Sequence, residues 1–203
     1  MRLKKQIAIL ALGAGFAACT PQPATNLIED NMEFAQQQLR FAFDEIDYAI
    51  VNESPESRAK REKNGWGELT NPRNSEPDGT LNLVPSKDWT SGFFPGELWF
   101  LYEYTQNNFW KKKAQQHTDI LEKEKMNGST HDMGFKVYCS FGNGYRLTQD
   151  EHYKEVLLQS ARTLATRFKP AAGIIRSWDH STAKWACPVS SKVQAGGRTP
   201  FRI

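Results

Sequence analysis

The sequence predicts an all-α fold built from helix pairs, and three observations carry that expectation. Laying Gly92-Phe93 over Gly134-Phe135 gives an internal register of 42, which becomes 43 by Thr105-Gln106 over Thr148-Gln149 and by Trp110-Lys111 over Tyr153-Lys154. Periods in this range are typical of stacked helical hairpins, each too small to bury its apolar face alone. Apolar residues also recur at helical spacing through both copies, and no strand pattern competes with them.

Residues 26–51 read as one amphipathic helix, with Leu27, Phe34, Leu39, Phe41, Ala42 and Ile46 on its apolar face and Asn26 and Glu29 spaced as a capping pair. Residues 52–88 are polar and interrupted by Pro55, Pro72, Pro77 and Pro85, so they read as a long loop. Residues 90–104 form the next helix, with Pro95 in its first turn, where the missing N–H matters least. Asn107 or Asn108 caps a partner over 109–125. The second copy runs from 134 to 147, with a partner helix over 150–168. Asp150 is its N-cap, and Val156, Leu157, Ala161, Leu164 and Ala165 are its buried stripe. Lys169-Pro170 ends that helix, and Ile174-Ile175 is a short extended piece. Residues 181–203 hold four basic residues, no acid and no helical period. They form an atypical tail that reads equally as a disordered terminus, a frameshift product or a native end.

The start of the chain reads as a leader. Arg2, Lys4 and Lys5 precede an apolar stretch over 7–16 that is too short to span a bilayer, and Phe16-Ala17-Ala18-Cys19 follows. This resembles a bacterial lipoprotein junction: a signal peptide over 1–18, lipidation at Cys19 and a flexible tether over 19–25. An ordinary secretory peptide cut near Ala18 is the alternative. Either leaves a mature chain of one-domain length, and the lipoprotein reading places it at the periplasm or outer membrane, touching membrane only through its anchor.

The leader holds three of the 26 basic side chains and no acid, so the rest balances at 23 against 23. The net charge of +3 therefore gives no support to nucleic-acid binding. Beyond Cys19 only Cys139 and Cys187 remain, and no Cys/His cluster has metal-ligand spacing. No metal or cofactor is implied.

Two short segments pair a carboxylate with aromatics at the joints of the repeat: His131-Asp132-Met133-Gly134-Phe135 and Arg176-Ser177-Trp178-Asp179-His180. Acidic groups at one end of successive hairpins converge on one mouth, which suggests a glycan-processing site. The plain alternatives are an N-cap for Asp132, a solvated turn for Asp179 and core packing for Trp89 and Trp178. His131 reads as an orienting or capping group, Asp88 as solvated, and Arg176 as either a uronate partner or a solvent-facing residue.

Together with Trp89-Thr90-Ser91-Gly92-Phe93-Phe94-Pro95-Gly96, these segments resemble glycoside hydrolase family 88, the unsaturated glucuronyl hydrolases. The resemblance covers roughly residues 26–185, about the N-terminal half of that family's usual length. It implies an (α/α)6 toroid of six hairpins, here truncated over 26–180, with open edges that expose apolar helix faces. It also implies removal of a 4,5-unsaturated uronic acid from the non-reducing end of lyase-generated oligosaccharides. By that resemblance Asp179 is the acid/base, Asp132 the second acidic residue often labelled the nucleophile, and Trp89 a sugar-stacking aromatic. Two other functions stand beside it: an unsaturated rhamnogalacturonyl hydrolase, and a non-catalytic helical-repeat lipoprotein that binds glycans.

Overall fold

A computed structural model describes residues 24–177 and 179. The expected leader, Cys19, Trp178 and the 181–203 tail lie outside the described residues. The chain divides into two compact units, 1–39 and 40–203. Residues 24–39 are the N-terminal stretch of α1 (Ala24–Val51), and everything else described belongs to the second unit. The helix starts inside the expected tether, so Asn26 lies within it rather than capping it.

In the second unit α1 is followed by α2 (Pro55–Lys63), a hairpin of β1 (Leu69–Ser75) and β2 (Leu81–Pro85), α3 (Phe93–Thr105) and α4 (Asn108–Asp119). A 3₁₀ helix (Glu122–Met126), a π-helix (Gly134–Gly142), α5 (Asn143–Thr148) and α6 (Glu151–Ala165) complete the helices. The two-residue strands β3 (Phe168–Lys169) and β4 (Ile174–Ile175) pair antiparallel and turn the chain back towards residue 179. The all-α expectation holds for the scaffold but not for residues 52–88. Ser54 caps α2 by accepting from Ser57 N, and Pro55 opens it. The strands beyond survive Pro72 because the β1–β2 ladder breaks register on either side of it, which removes the need for its missing N–H.

The two copies of the repeat end in the same turn. Gln106 and Gln149 both adopt left-handed backbone, φ 53° and 55°, and stop α3 and α5. Thr105 and Thr148 each donate to a carbonyl one turn back, Leu101 and Gly144. Asn107 and Asp150 then accept from the amides of Phe109 and His152, at 2.9 Å in both cases. The helices before that turn differ. From Gly92 to Thr105 is one residue shorter than from Gly134 to Thr148, and the widened π turns of Gly134–Gly142 take up the extra residue.

These pairs enclose a core in which Trp99, Trp110, Leu98, Leu121, Phe141, Val137 and Val156 are fully buried. Trp99 Nε1 donates to Thr118 Oγ1 at 3.0 Å, and Tyr153 stands edge-on to Phe141 while its hydroxyl donates to Asp119. Burial, and then the Asp119 carboxylate, push the Tyr153 phenol up. Gly92 and Gly96 let α3 close directly on the π-helix backbone: a Cβ on Gly92 would collide with the carbonyls of Phe135 and Lys136, and one on Gly96 would sit 2.9 Å from that of Cys139.

Two apolar stripes are placed differently from expectation. On α1, Phe43 and Ile46 are buried while Phe41 is exposed. On α6 the buried positions are Tyr153, Val156, Ser160 and Thr163. The more apolar Leu157, Ala161 and Leu164 instead line an open groove with Met133, Val137 and Tyr138. The expected helix over 109–125 breaks at Asp119 and continues as the 3₁₀ helix.

Candidate active site

The hairpin is tied to the helices by buried polar bonds. Asn71 is fully buried, and its side chain donates to Ser91 O and accepts from His117 Nδ1, both at 2.8 Å. His117 stacks on Phe43 and meets Phe94 edge-on. Burial, aided by the Lys113 charge, depresses its pKa to about 4, so it is neutral and Nδ1 is the donor.

A buried ion pair lies beneath the mouth. Lys136, fully buried on the π-helix, donates to Glu124 at 3.1 Å and to the carbonyl of Lys87 at 3.2 Å. Glu124 also accepts from Ser86 Oγ and Asn127 Nδ2, each at 2.7 Å. Burial alone would raise its pKa, but the Asn127 and Ser86 hydrogen bonds and the Lys136 charge together hold it below the usual value. This network fixes residues 86–87, and therefore Trp89, relative to the π-helix that begins two residues after Asp132.

Trp89 and Asp132 line one cleft of about 730 Å³. Trp89 is 43% exposed, and its ring is steadied edge-on by Phe93 and Phe135 at 5.9 and 5.7 Å. That leaves part of an aromatic surface open to a ligand, the arrangement that stacks on sugar rings. Asp88, expected to be solvated, is instead a turn anchor: Oδ1 accepts from Thr90 N and Oγ1, and Oδ2 from Arg73.

Asp132 does not cap the helix after it. Among the described residues its carboxylate meets Thr130 Oγ1 at 3.1 Å and His131 Nε2 at 3.3 Å, and no helix amide. His131 Nδ1 lies 2.9 Å from the carbonyl of Ser177. A carbonyl only accepts, so Nδ1 is the donor there, and Nε2 is the ring nitrogen that faces the Asp132 carboxylate. A carboxylate and an imidazole thus stand side by side at the edge of the cleft.

Asp179 is held elsewhere. One of its oxygens is gripped by Arg176 at 2.6 Å and by Arg167 at 3.1 Å, and it is not among the residues lining the Asp132–Trp89 cleft. Arg167 is the organiser. Buried in the turn that follows α6, it donates to the carbonyls of Arg176, Gly128 and Ser177 as well as to Asp179. Ser177 is thereby set beside His131. Sequence reasoning missed Arg167, Lys136 and Glu124, since nothing in apolar periodicity marks a charge that is buried. Arg176 is exposed, as one of its two expected readings had it, and pairs with Asp179. Among the described residues no His/Cys/Asp/Glu group could hold a metal.

No family model matches the chain. It is 53% identical over 110 residues to an unsaturated glucuronyl hydrolase from Formosa agariphila, covering 54% of this chain and 28% of that protein. A crystal structure of an unsaturated glucuronyl hydrolase specific for heparin matches with 36% identity and a TM-score of 0.54, covering 73% of this chain and 37% of that one. Two mutant structures of the Streptococcus agalactiae unsaturated glucuronyl hydrolase match at 25% and 26% identity, both with a TM-score of 0.51, covering 69% of this chain and about a third of theirs. Each carries a single aspartate-to-asparagine change, at sites 60 positions apart in that enzyme. The chain thus spans about a quarter to a third of the length of these relatives, less than the half expected.

Proposed function

We propose that the chain is part of an unsaturated glucuronyl hydrolase of glycoside hydrolase family 88, and that it provides part of the site at which such an enzyme removes a 4,5-unsaturated uronic acid from the non-reducing end of lyase-generated oligosaccharides. The observation that carries this reading is the sharing of one cleft by Trp89 and Asp132, with His131 Nε2 3.3 Å from the carboxylate.

In an unsaturated uronide the ring oxygen belongs to an enol ether. Protonation of C4 leaves an oxocarbenium-like centre at C5, water adds there and loses a proton, and the resulting hemiketal opens to release the remaining sugar. The C–O bond to the leaving sugar breaks only after hydration, so the carboxylate-separation rule for ordinary glycosidases does not govern this site. The protein must hold the ring, give a proton to carbon and take one from water. Trp89 supplies a platform, and Asp132 is the described carboxyl group placed for proton transfer, oriented by Thr130 and His131.

The resemblance gives the acid/base role to Asp179. Its pairing with Arg167 and Arg176 supports a positioning role instead. So does the mismatch between its spacing from Asp132, 47 residues, and the 60 that separate the two mutated aspartates of the Streptococcus agalactiae enzyme. Loss of the conjugated double bond is the assay. In a chain that performs the reaction, Asp132→Asn lowers kcat by about 100-fold or more, whereas Asp179→Asn retains most activity. Unimpaired turnover in Asp132→Asn overturns the assignment. Attachment through Cys19 to the periplasmic or outer membrane is proposed as well; incorporation of a fatty-acid label that Cys19→Ala fails to abolish overturns it.

A further inference from the structure

The loop over 127–132, which presents Asp132, is gripped twice by one buried side chain that does not line the cleft. Arg167 is 3% exposed and stands outside the lining of the Trp89–Asp132 cleft. Its Nη1 donates to Gly128 O at 2.7 Å, at the start of that loop. Its Nη2 donates to Ser177 O at 2.8 Å, and the same oxygen takes the Nδ1–H of His131 at 2.9 Å. His131 Nε2 in turn lies 3.3 Å from Asp132 Oδ1, while Thr130 Oγ1 donates to Oδ2. A continuous line of contacts thus runs from Arg167 through Ser177 and His131 to the carboxylate.

Resting on the functional reading above, we propose that Arg167 is a positioning residue for Asp132. By fixing the Ser177 carbonyl it sets the plane of the His131 ring, and through that ring the direction in which the carboxylate meets the substrate. A guanidinium suits the task, because its donors are fixed in one planar fork and its charge is permanent. One side chain can therefore hold the carbonyls of Gly128, Arg176 and Ser177 together with the Asp179 carboxylate. A lysine carries its three donors on a single rotating nitrogen and cannot span those acceptors. The turn itself has its own ties: Arg176 N donates to Arg167 O at 3.0 Å, next to the β3–β4 pairing of Phe168 with Ile175. The backbone thus closes the turn, and the side chain orients what the turn carries.

The test reads the hydrogen-bonded imidazole N–H protons of the full chain by NMR, downfield of the amides. His131→Gln identifies the His131 signal. His117, whose Nδ1 donates to Asn71 in the buried core, is the internal reference for an intact fold. The wild type shows both protons. Arg167→Lys loses the His131 proton to solvent exchange and keeps that of His117. In a chain that performs the reaction, the same variant lowers kcat by about tenfold or more and leaves KM within about twofold. A His131 proton that persists in Arg167→Lys, or an unchanged kcat, overturns the positioning role. Loss of both protons overturns it too, because it marks a residue that holds the whole fold. The spectra need no substrate, so a chain that never consumes the conjugated double bond overturns the functional reading alone, and the spectra decide whether Arg167 sets the ring.

Discussion

The two copies of the repeat are alike at one end and unlike at the other. At the turn end, Thr105-Gln106-Asn107 and Thr148-Gln149-Asp150 reproduce the same left-handed stop and the same side-chain cap almost atom for atom. At the mouth end, the first copy is an α-helix closed by glycines and preceded by a tryptophan. The second is a π-helix preceded by a carboxylate. In the register of 42, Trp89 falls on His131 and Thr90 on Asp132. The same scaffold position thus presents an exposed aromatic ring in one hairpin and a histidine–aspartate pair in the next. Repeat architecture allows this because the turns and core faces hold the fold while the mouth residues are free to diverge.

The strongest way to break the difference is to remove what holds the second mouth. Lys136→Met leaves the Glu124 carboxylate buried without its cation, and a loss of about 3–5 kcal/mol in unfolding free energy is expected. Lys136→Met/Glu124→Gln should recover a good part of it in the same denaturant titration. A double variant no more stable than the single one would show that the pair is not what holds residues 86–87 against the π-helix.

The glycines at equivalent positions give the next largest contrast. Gly92→Ala drives a methyl group into the carbonyls of Phe135 and Lys136, and about 3 kcal/mol of destabilisation is expected. Gly134→Ala meets nothing within contact distance and should be neutral or stabilising by up to ~1 kcal/mol, as alanine replaces glycine in a helix. Equal effects in thermal melts would mean that α3 does not close on the π-helix as described.

A third contrast concerns pH, and it sharpens the link between the hairpin and the first copy. His117 is held neutral, with its pKa near 4 in the folded state against about 6.5 when unfolded. Below pH 6.5 the unfolded chain therefore binds the extra proton, and stability falls as pH drops towards 4. The expected contribution between pH 7 and pH 5 is about 2 kcal/mol. His117→Gln should flatten that part of the profile relative to wild type; parallel profiles for the two proteins would refute it.

Much of this was legible in the sequence, for reasons that particular residues show. The turns were legible because Asn107 and Asp150 act locally, on an amide two residues away. The repeat and its one-residue slip were visible too, although only the structure shows that a π-helix absorbs the slip. Residues 52–88 were misread because their prolines obscure a hairpin whose irregular register tolerates them. The stripe on α6 was misread because periodicity marks which residues share a face, not which face meets the core. Asp132 and Trp89 stood out through their motifs. The arginine clamp on Asp179 did not, because Arg167 acts through contacts made by the folded chain.

The smallest expected effect is also the most direct test of the likeness between the copies. Asn107 and Asp150 each satisfy one orphan amide at the start of a helix, at the same 2.9 Å, so each alanine variant should lower stability by about 1 kcal/mol. The two should also be additive, because each cap serves its own helix and shares no hydrogen-bond partner with the other. The expectation includes a small asymmetry. Asp150 carries a charge that interacts favourably with the N-terminal end of the α6 dipole, whereas Asn107 is neutral. Raising the salt concentration should therefore shrink the Asp150→Ala effect by a few tenths of a kcal/mol and leave Asn107→Ala unchanged. Equal salt dependence in the two variants would show that the charge adds nothing to the cap and that the copies are equivalent at this end.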